Sequence, residues 1–235
     1  MMEYIIINDI KSTELKGLMI SRLSPITKPP KRVAIEEIEG RDGNTITELG
    51  YGSYVKEIEI GLTYNYDIDE IISYFNSEGK IVFSNEPTKY YRFKIVEQID
   101  FEKLLRFKTA KVKLHVQPFK YSAEEKIKAY DITTETEICV RNSGNIYSKP
   151  RITFTGTGIS NISLNGLQML VLNLESETDS ITIDFENLEA YDTDGLRNRD
   201  VDGDYDNFKL NIGKNNISFT GTLTKIEIEN YSRWI

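Results

Sequence analysis
The densest run of chemically capable side chains is a set of six aspartates: Asp192, Asp194, Asp200, Asp202, Asp204 and Asp206. Calcium recruits several oxygen ligands from a flexible loop, and alternate aspartates supply such ligands. An EF-hand loop needs Gly at its sixth position and Glu at its twelfth. Counted from Asp192 these positions hold Arg197 and Gly203, and counted from Asp200 they hold Tyr205 and Asn211. The run reads either as a solvated acidic loop or as an irregular Ca2+ site, and no other metal or cofactor is expected.

With a single histidine, any Ser–His–Asp or Cys–His mechanism must use His115. That residue belongs to a stretch that alternates strictly. Lys108, Ala110, Val112, Leu114 and Val116 fall on one side, Thr109, Lys111, Lys113 and His115 on the other. The bland reading is the polar face of a half-exposed strand. The functional one is a basic face of Lys111, Lys113 and His115, turned toward an anionic bore or a neighbouring subunit. A wider basic run, Lys103, Arg106, Lys108, Lys120, Lys126 and Lys128, surrounds it and reads first as lysines guarding strand edges, with a surface facing DNA or an acidic partner as the alternative. No GxSxG, P-loop, HExxH or GxGxxG motif occurs, and Gly156-Thr157-Gly158 is a turn without a following helix. An enzyme is not expected.

The elements that carry these residues are mostly strands. The stretch 54–64 sets Ile58, Ile60 and Leu62 against Glu57, Glu59 and Gly61. Further strands are expected near 80–84, 90–98 and 107–117. Before them, the cluster from Pro25 to Pro30 breaks regular structure, and Gly40-Arg41-Asp42-Gly43-Asn44 forms a turn-rich loop. One helix is expected: Asp67 and Glu70 form a capping box, Ile68, Ile71, Ile72 and Phe75 one apolar stripe, and Gly79 the stop. From Ile132 onward strands and turns alternate at short intervals, with Asn165-Gly166 as a hairpin signal.

The 235 residues carry 29 Lys+Arg and 37 Asp+Glu, a net charge of −8. Residues 1–130 hold 20 of each sign, so residues 131–235 hold 9 against 17 and the whole excess. An acidic second half disfavours nucleic acid as its ligand, because phosphate contacts need a basic surface. The charge division and the low β content of residues 122–131 suggest two domains, 1–121 and 132–235, joined by a linker over 122–131. A lone cysteine, Cys139, excludes an internal disulfide and fits a reducing compartment. No apolar run is long enough to span a bilayer, and the start lacks a secretory leader's basic region.

Several short motifs recur in a recognisable order. Gly40-Arg41-Asp42-Gly43 precedes Leu49-Gly50-Tyr51-Gly52-Ser53-Tyr54, the alternating strand and the helix. Asn85-Glu86-Pro87-Thr88-Lys89-Tyr90-Tyr91 and Val116-Gln117-Pro118-Phe119-Lys120-Tyr121 follow. The second half adds Asn142–Asn145, Ser148-Lys149-Pro150-Arg151-Ile152, Phe208-Lys209-Leu210 with Gly213-Lys214-Asn215, and the final Tyr231-Ser232-Arg233-Trp234-Ile235. In this order they resemble the distal tail protein (Dit) family of long-tailed phages of Gram-positive bacteria, over nearly the whole chain.

The resemblance implies a mainly β protein: an N-terminal β-barrel-like, ring-forming domain with one short helix, then a galectin-like β-sandwich. It implies a hexameric adaptor in the virion tail, synthesised in the host cytoplasm. Its partners would be further copies of itself, the tail tube protein, the tape-measure protein, the tail-associated tip or lysin protein and a receptor-binding protein, with DNA only in passage and no membrane. No long insertion interrupts the second half, so no carbohydrate-binding extension is expected. The alternative is a module that grips host-wall polysaccharide, with Tyr191, Tyr205 and Phe208 as stacking aromatics. A wall-degrading tail hydrolase is a third reading.

Overall fold
A computed structural model of the chain describes residues 3–132 and 135–235. The chain divides into two compact units, the first ending at Ala123 and the second starting at Glu124. The stretch expected as a linker over 122–131 is not a free connector. Ser122 ends a strand of the first unit, and Lys128–Asp131 is itself a strand of the second. Its charges hid the strand because it lies at a sheet edge, where polar residues are tolerated on both faces.

In the first unit the strands are β1 (Ile5–Ile7), β2 (Ile10–Lys11), β3 (Leu18–Arg22), β4 (Lys31–Glu37), β5 (Asn44–Tyr51), β6 (Tyr54–Leu62), β7 (Glu78–Phe83), β8 (Lys89–Lys94) and β9 (Thr109–Ser122). All but β4 and β5 form one antiparallel sheet in the order β2-β1-β7-β8-β9-β6-β3. The two edges, β2 and β3, are joined by a single 3-10 turn at Ser12–Glu14, so the sheet must curl to bring them together. Its concave side is filled by Ile58, Ile60, Val112, Leu114 and Val116 from the central strands and closed by Ile71 and Phe75.

The helix α1 (Ile68–Phe75) starts as expected, with the Asp67 carboxylate accepting from the backbone N–H groups of Asp69 and Glu70. Three details differ from the sequence reading. The buried stripe is Ile71, Tyr74 and Phe75, with Ile68 half-buried and Ile72 exposed. Tyr74 goes inward because its hydroxyl donates to the Ile10 carbonyl at 3.1 Å, so an aromatic with a polar tip displaces an aliphatic. The helix stops at Asn76, not Gly79. Gly79 lies in β7 at φ +134°, where an added Cβ would lie 2.4 Å from the Asn8 side chain. A second helix, α2 (Phe101–Phe107), was not expected; Asp100 caps it by accepting from the Lys103 N–H at 2.7 Å.

The second unit contains β10 (Lys128–Asp131), β11 (Glu137–Asn142), β12 (Arg151–Leu164), β13 (Leu167–Asp184), β14 (Glu189–Tyr191), β15 (Val201–Gly203) and β16 (Gly213–Glu229). Its sheet order is β10-β16-β12-β13-β14, with β11 also on β16 and β15 also on β13. The turn between β12 and β13 is Asn165-Gly166, with φ +51° and +85°, both positive as a type I′ turn requires. Strands this long must bend to enclose a core, and the bends sit at register shifts near Gly156 and Gly158. A Cβ on Gly156 would meet the Thr222 carbonyl oxygen at 2.3 Å, so only glycine lets β12 and β16 cross there. Phe154, Leu172, Ile183, Phe185, Phe208 and Ile226 lie in the enclosed core.

Ile71 is fully buried and Phe75 nearly so. Replacing either with Asp buries a carboxylate without a partner, at a cost on the order of 3–5 kcal/mol. We expect Ile71→Asp or Phe75→Asp to unfold the first unit at 37 °C or to lower its melting temperature sharply. A calorimetric scan with near-wild-type melting would mean that the stripe is not buried.

Candidate functional site
Three surfaces hold the residues singled out by sequence, and a fourth was missed. The first is the outer face of β9. Its alternation is as expected: Ala110, Val112, Leu114 and Val116 are buried, and Lys111, Lys113 and His115 point the other way. The lysines do not stand alone. Lys111 Nζ lies 2.6 Å from Glu57 Oε1 across β6, and Lys113 Nζ 2.8 Å from Glu97 Oε2. His115 Nε2 is 3.7 Å from the other oxygen of Glu97. These bonds hold the Lys111 and Lys113 amines above their ordinary range and the Glu57 and Glu97 carboxyls below theirs. A face that looked basic in sequence is thus largely neutralised by acids of its own unit.

The acidic loop is organised around a cation from within the chain. Arg197 Nη1 donates to Asp192 Oδ2 at 2.7 Å, its two Nη groups grip both oxygens of Asp179 at 3.2 and 3.1 Å, and its Nε donates to Asp200. The guanidinium holds the Asp179 and Asp192 carboxyls below the usual carboxylate range. Asp192 also accepts from the N–H groups of Asp194 and Gly195, Asp204 caps the turn to Asn207, and Asp206 pairs with Lys149 at 2.7 Å. Asp202 lies on β15 with its side chain exposed. Among the described residues no group of three or more acidic, His or Cys side chains is arranged to hold a metal. Arg197, which stands where an EF-hand has glycine, fills the centre of the loop with its own guanidinium.

Of the aromatics considered for sugar stacking, Phe208 is fully buried and stacks on Phe185 with ring centroids 4.2 Å apart. Tyr205 packs against the same core, leaving only Tyr191 half-exposed and outside it. These three do not form a platform.

The missed surface is a hairpin. Strands β4 and β5 pair with one another in a two-stranded sheet separate from the rest, and the Gly40–Gly43 loop is its tip. Cross-strand partners Ile35 and Ile46 are 58% and 62% exposed, and Val33 shares their face, bordered there by Glu48 opposite Val33 and by Glu37. The opposite face carries Ala34, Glu36, Thr45 and Thr47. An isolated two-stranded ribbon is marginal in water, and this one leaves its apolar face uncovered. The alternation Val33-Ala34-Ile35-Glu36 was the available signal.

The hairpin's root is held by a buried polar cluster. Lys56, 2% exposed, donates from Nζ to the Pro25 carbonyl at 2.9 Å and lies over the rings of Tyr91 and Phe83, 5.0 and 5.4 Å from their centroids. Glu86 accepts from Lys120 at 2.8 Å and from the Tyr91 hydroxyl. The Gly52 N–H donates to the Pro30 carbonyl and Tyr51 packs edge-on to Phe119, fixing where the two strands leave the sheet.

Burial pulls the Lys56 amine down from 10.5 to about 8. Between these values the unfolded chain binds more protons than the folded one, so stability rises with pH across that window. Below about 8 the full cost of burying the charge is present. Lys56→Met keeps the shape and removes the titration. The stability difference, wild type minus variant, should therefore be flat below pH 8 and rise by on the order of 2 kcal/mol toward pH 10.5. Urea midpoints measured on both proteins check this; a difference that falls with pH would mean that Lys56 is not held in a dry site.

Neither a protein-family model nor a curated protein sequence matches the chain. Solved structures do. The Dit protein (gp 19.1) of phage SPP1, described as a paradigm of the hub adsorption apparatus in phages infecting Gram-positive bacteria, matches with TM-score 0.69 at 15% identity. The match covers 100% of each chain. A chain of the phage P2 baseplate in its activated conformation with Ca matches with TM-score 0.57 at 10% identity, over 100% of this chain and 99% of that one. The chain therefore has a mainly β, Dit-like fold along its entire length. Among the described residues no helix is long and apolar enough to cross a membrane.

Proposed function
We propose that this chain is a structural protein of a phage tail, a hexameric ring adaptor that connects the tail tube to the tail tip or baseplate. The observation that carries this reading is the end-to-end match to the SPP1 hub protein, which spans both units and leaves neither chain with an unmatched domain. The proposed partners are other copies of the chain, the tail tube, tape-measure and tail-associated tip or lysin proteins, and a receptor-binding protein, all within the virion. The role is geometric and not catalytic: a head-to-tail interface that closes on itself fixes a symmetry and a bore.

The exposed hairpin supports self-assembly, since a ribbon with an uncovered apolar face gains most from a second protein surface. The first unit has its own sheet, core and hairpin, so the ring is assigned to it. The face of Lys111, Lys113 and His115 is assigned to the bore or to a subunit junction. Its internal pairing with Glu57 and Glu97 suits a bore better, because DNA in passage must not be held tightly.

Two measurements test this. Light scattering and negative-stain imaging of the full chain, and of residues 1–123, should both give closed rings of one size. Monodisperse monomer from the full chain at high concentration would overturn the proposal. Lys111→Glu with Lys113→Glu should leave rings intact and impair infection under the bore assignment, and break rings under the junction assignment. Intact rings with normal infectivity would sink both assignments and leave a solvated strand face.

A further inference from the structure
The hairpin is reached through a strap, residues 24–30, that belongs to no helix or strand. Ser24 and Pro29 are buried, while Pro25, Ile26, Thr27 and Lys28 between them are exposed. Its backbone carbonyls fasten it to the sheet. Ser24 accepts from Asn85 Nδ2 at 3.1 Å, Pro25 from Lys56 Nζ at 2.9 Å and Pro30 from the Gly52 N–H at 2.9 Å. Two of these donors are neutral amides. The third is an ammonium that is 2% exposed and has no other hydrogen-bond acceptor among the described residues.

The groups around that ammonium come from every element packed against it. Its own strand β6 supplies the Tyr54 ring, β7 the Phe83 ring, β8 Tyr91 and β9 Lys120, with Glu86 in the turn between β7 and β8. The carboxylate of the cluster, Glu86, accepts from Lys120 Nζ and the Tyr91 hydroxyl. Burial pushes the Tyr54 and Tyr91 hydroxyls up, so both stay neutral. On the strap itself the charged residue is Lys28, which is exposed. Two ammonium groups thus face one carboxylate, and burial outweighs the attraction of Glu86, bringing the Lys56 amine down to about 8. Lifting the strap withdraws the Pro25 carbonyl and admits water, which returns the amine toward its ordinary 10.5.

We infer that residues 24–30 form a proton-sensitive latch: lifting the strap hydrates the Lys56 ammonium, so the root of the hairpin is looser in neutral solution and tighter in alkali. The sign follows from linkage. Between about 8 and 10.5 the lifted state binds more protons than the closed one, so raising the pH across this window closes the latch. Below about 8 both states carry the proton, and opening does not depend on pH. The latch belongs to the hairpin's root and holds whether or not copies of the chain assemble.

The test uses the full chain with Cys139→Ser, which removes the exposed thiol, and Ser24→Cys as a reporter at a buried strap position. The rate of thiol labelling by a small disulfide reagent, divided at each pH by the rate on urea-unfolded protein, gives the opening constant of the strap. Ala110→Cys, buried on β9, reports opening of the whole unit in the same way. The strap thiol should label at least several-fold faster than the β9 thiol. Its opening constant should be level from pH 7 to 8 and fall by about tenfold or more by pH 10.5. Adding Lys56→Met should abolish the fall. Hydrogen exchange of the Gly52 amide, read without any reporter thiol, should show the same trend in wild type and lose it in Lys56→Met. An opening constant that rises with pH, a fall that persists in Lys56→Met, or a strap that opens no more often than β9 would overturn the inference.

Discussion
The first unit depends on the period of two in β9. This strand pairs with β6 on one side and β8 on the other, so its register decides what the whole sheet presents to each face. A slip of one residue would bring Lys111 and Lys113 into the core and expel Val112 and Leu114. The same alternation explains the buried cations. Lys56 lies two residues before Ile58 and Lys120 four residues after Val116, both on the core-facing parity. At that end the interior changes character, from aliphatic to a layer of Phe83, Tyr91, Glu86 and two ammonium groups. Two cations share one carboxylate and the faces of aromatic rings there, a costly arrangement unless every donor finds an acceptor. The Pro25 carbonyl takes one of those donors, which ties the proline-rich segment leading to β4 to the sheet.

That tether matters because of what it carries. A ribbon of two strands has too little buried surface to offset the entropy of ordering its own residues. Anchoring both ends at a rigid root removes part of the freedom it would otherwise lose on binding, so a partner surface meets a nearly ready-made ribbon. Position, stiffness and apolar face thus come from three separate pieces of chemistry: the Lys56 cluster, the cross-strand pairing of β4 with β5, and the alternation through Val33 and Ile35.

Much of this was legible in the sequence wherever a local rule and the tertiary environment agreed. Asp67 caps α1 because its carboxylate needs only the next turn, and Asn165-Gly166 turns because both residues tolerate positive φ. The reading went astray where a distant partner decided the outcome. Tyr74 displaced Ile72 from the core through a carbonyl more than sixty residues away. Gly79 serves a contact with Asn8, not a helix end. The helix α2 was missed because Phe101–Phe107 is too short to display more than two turns of periodicity beside a strongly alternating strand. The acidic loop, read as a solvated loop or an irregular Ca2+ site, has Arg197 bonded to its aspartates. The approach of Asp179 from β13, far away in sequence, completes the set of carboxylates around that guanidinium.

Across both units, charges that sequence presents as blocks resolve into local pairs: Lys111 with Glu57, Lys113 with Glu97, Lys120 with Glu86, Arg197 with three aspartates. The exposed ones, Lys111 with Glu57 and Lys113 with Glu97, contribute little to stability, at most about 1 kcal/mol each. Their larger effect is to erase long-range attraction from the faces they occupy. Charges left unpaired then stand out against a neutral background, and a partner approaching through salt solution senses chiefly these within a Debye length of about 8–10 Å.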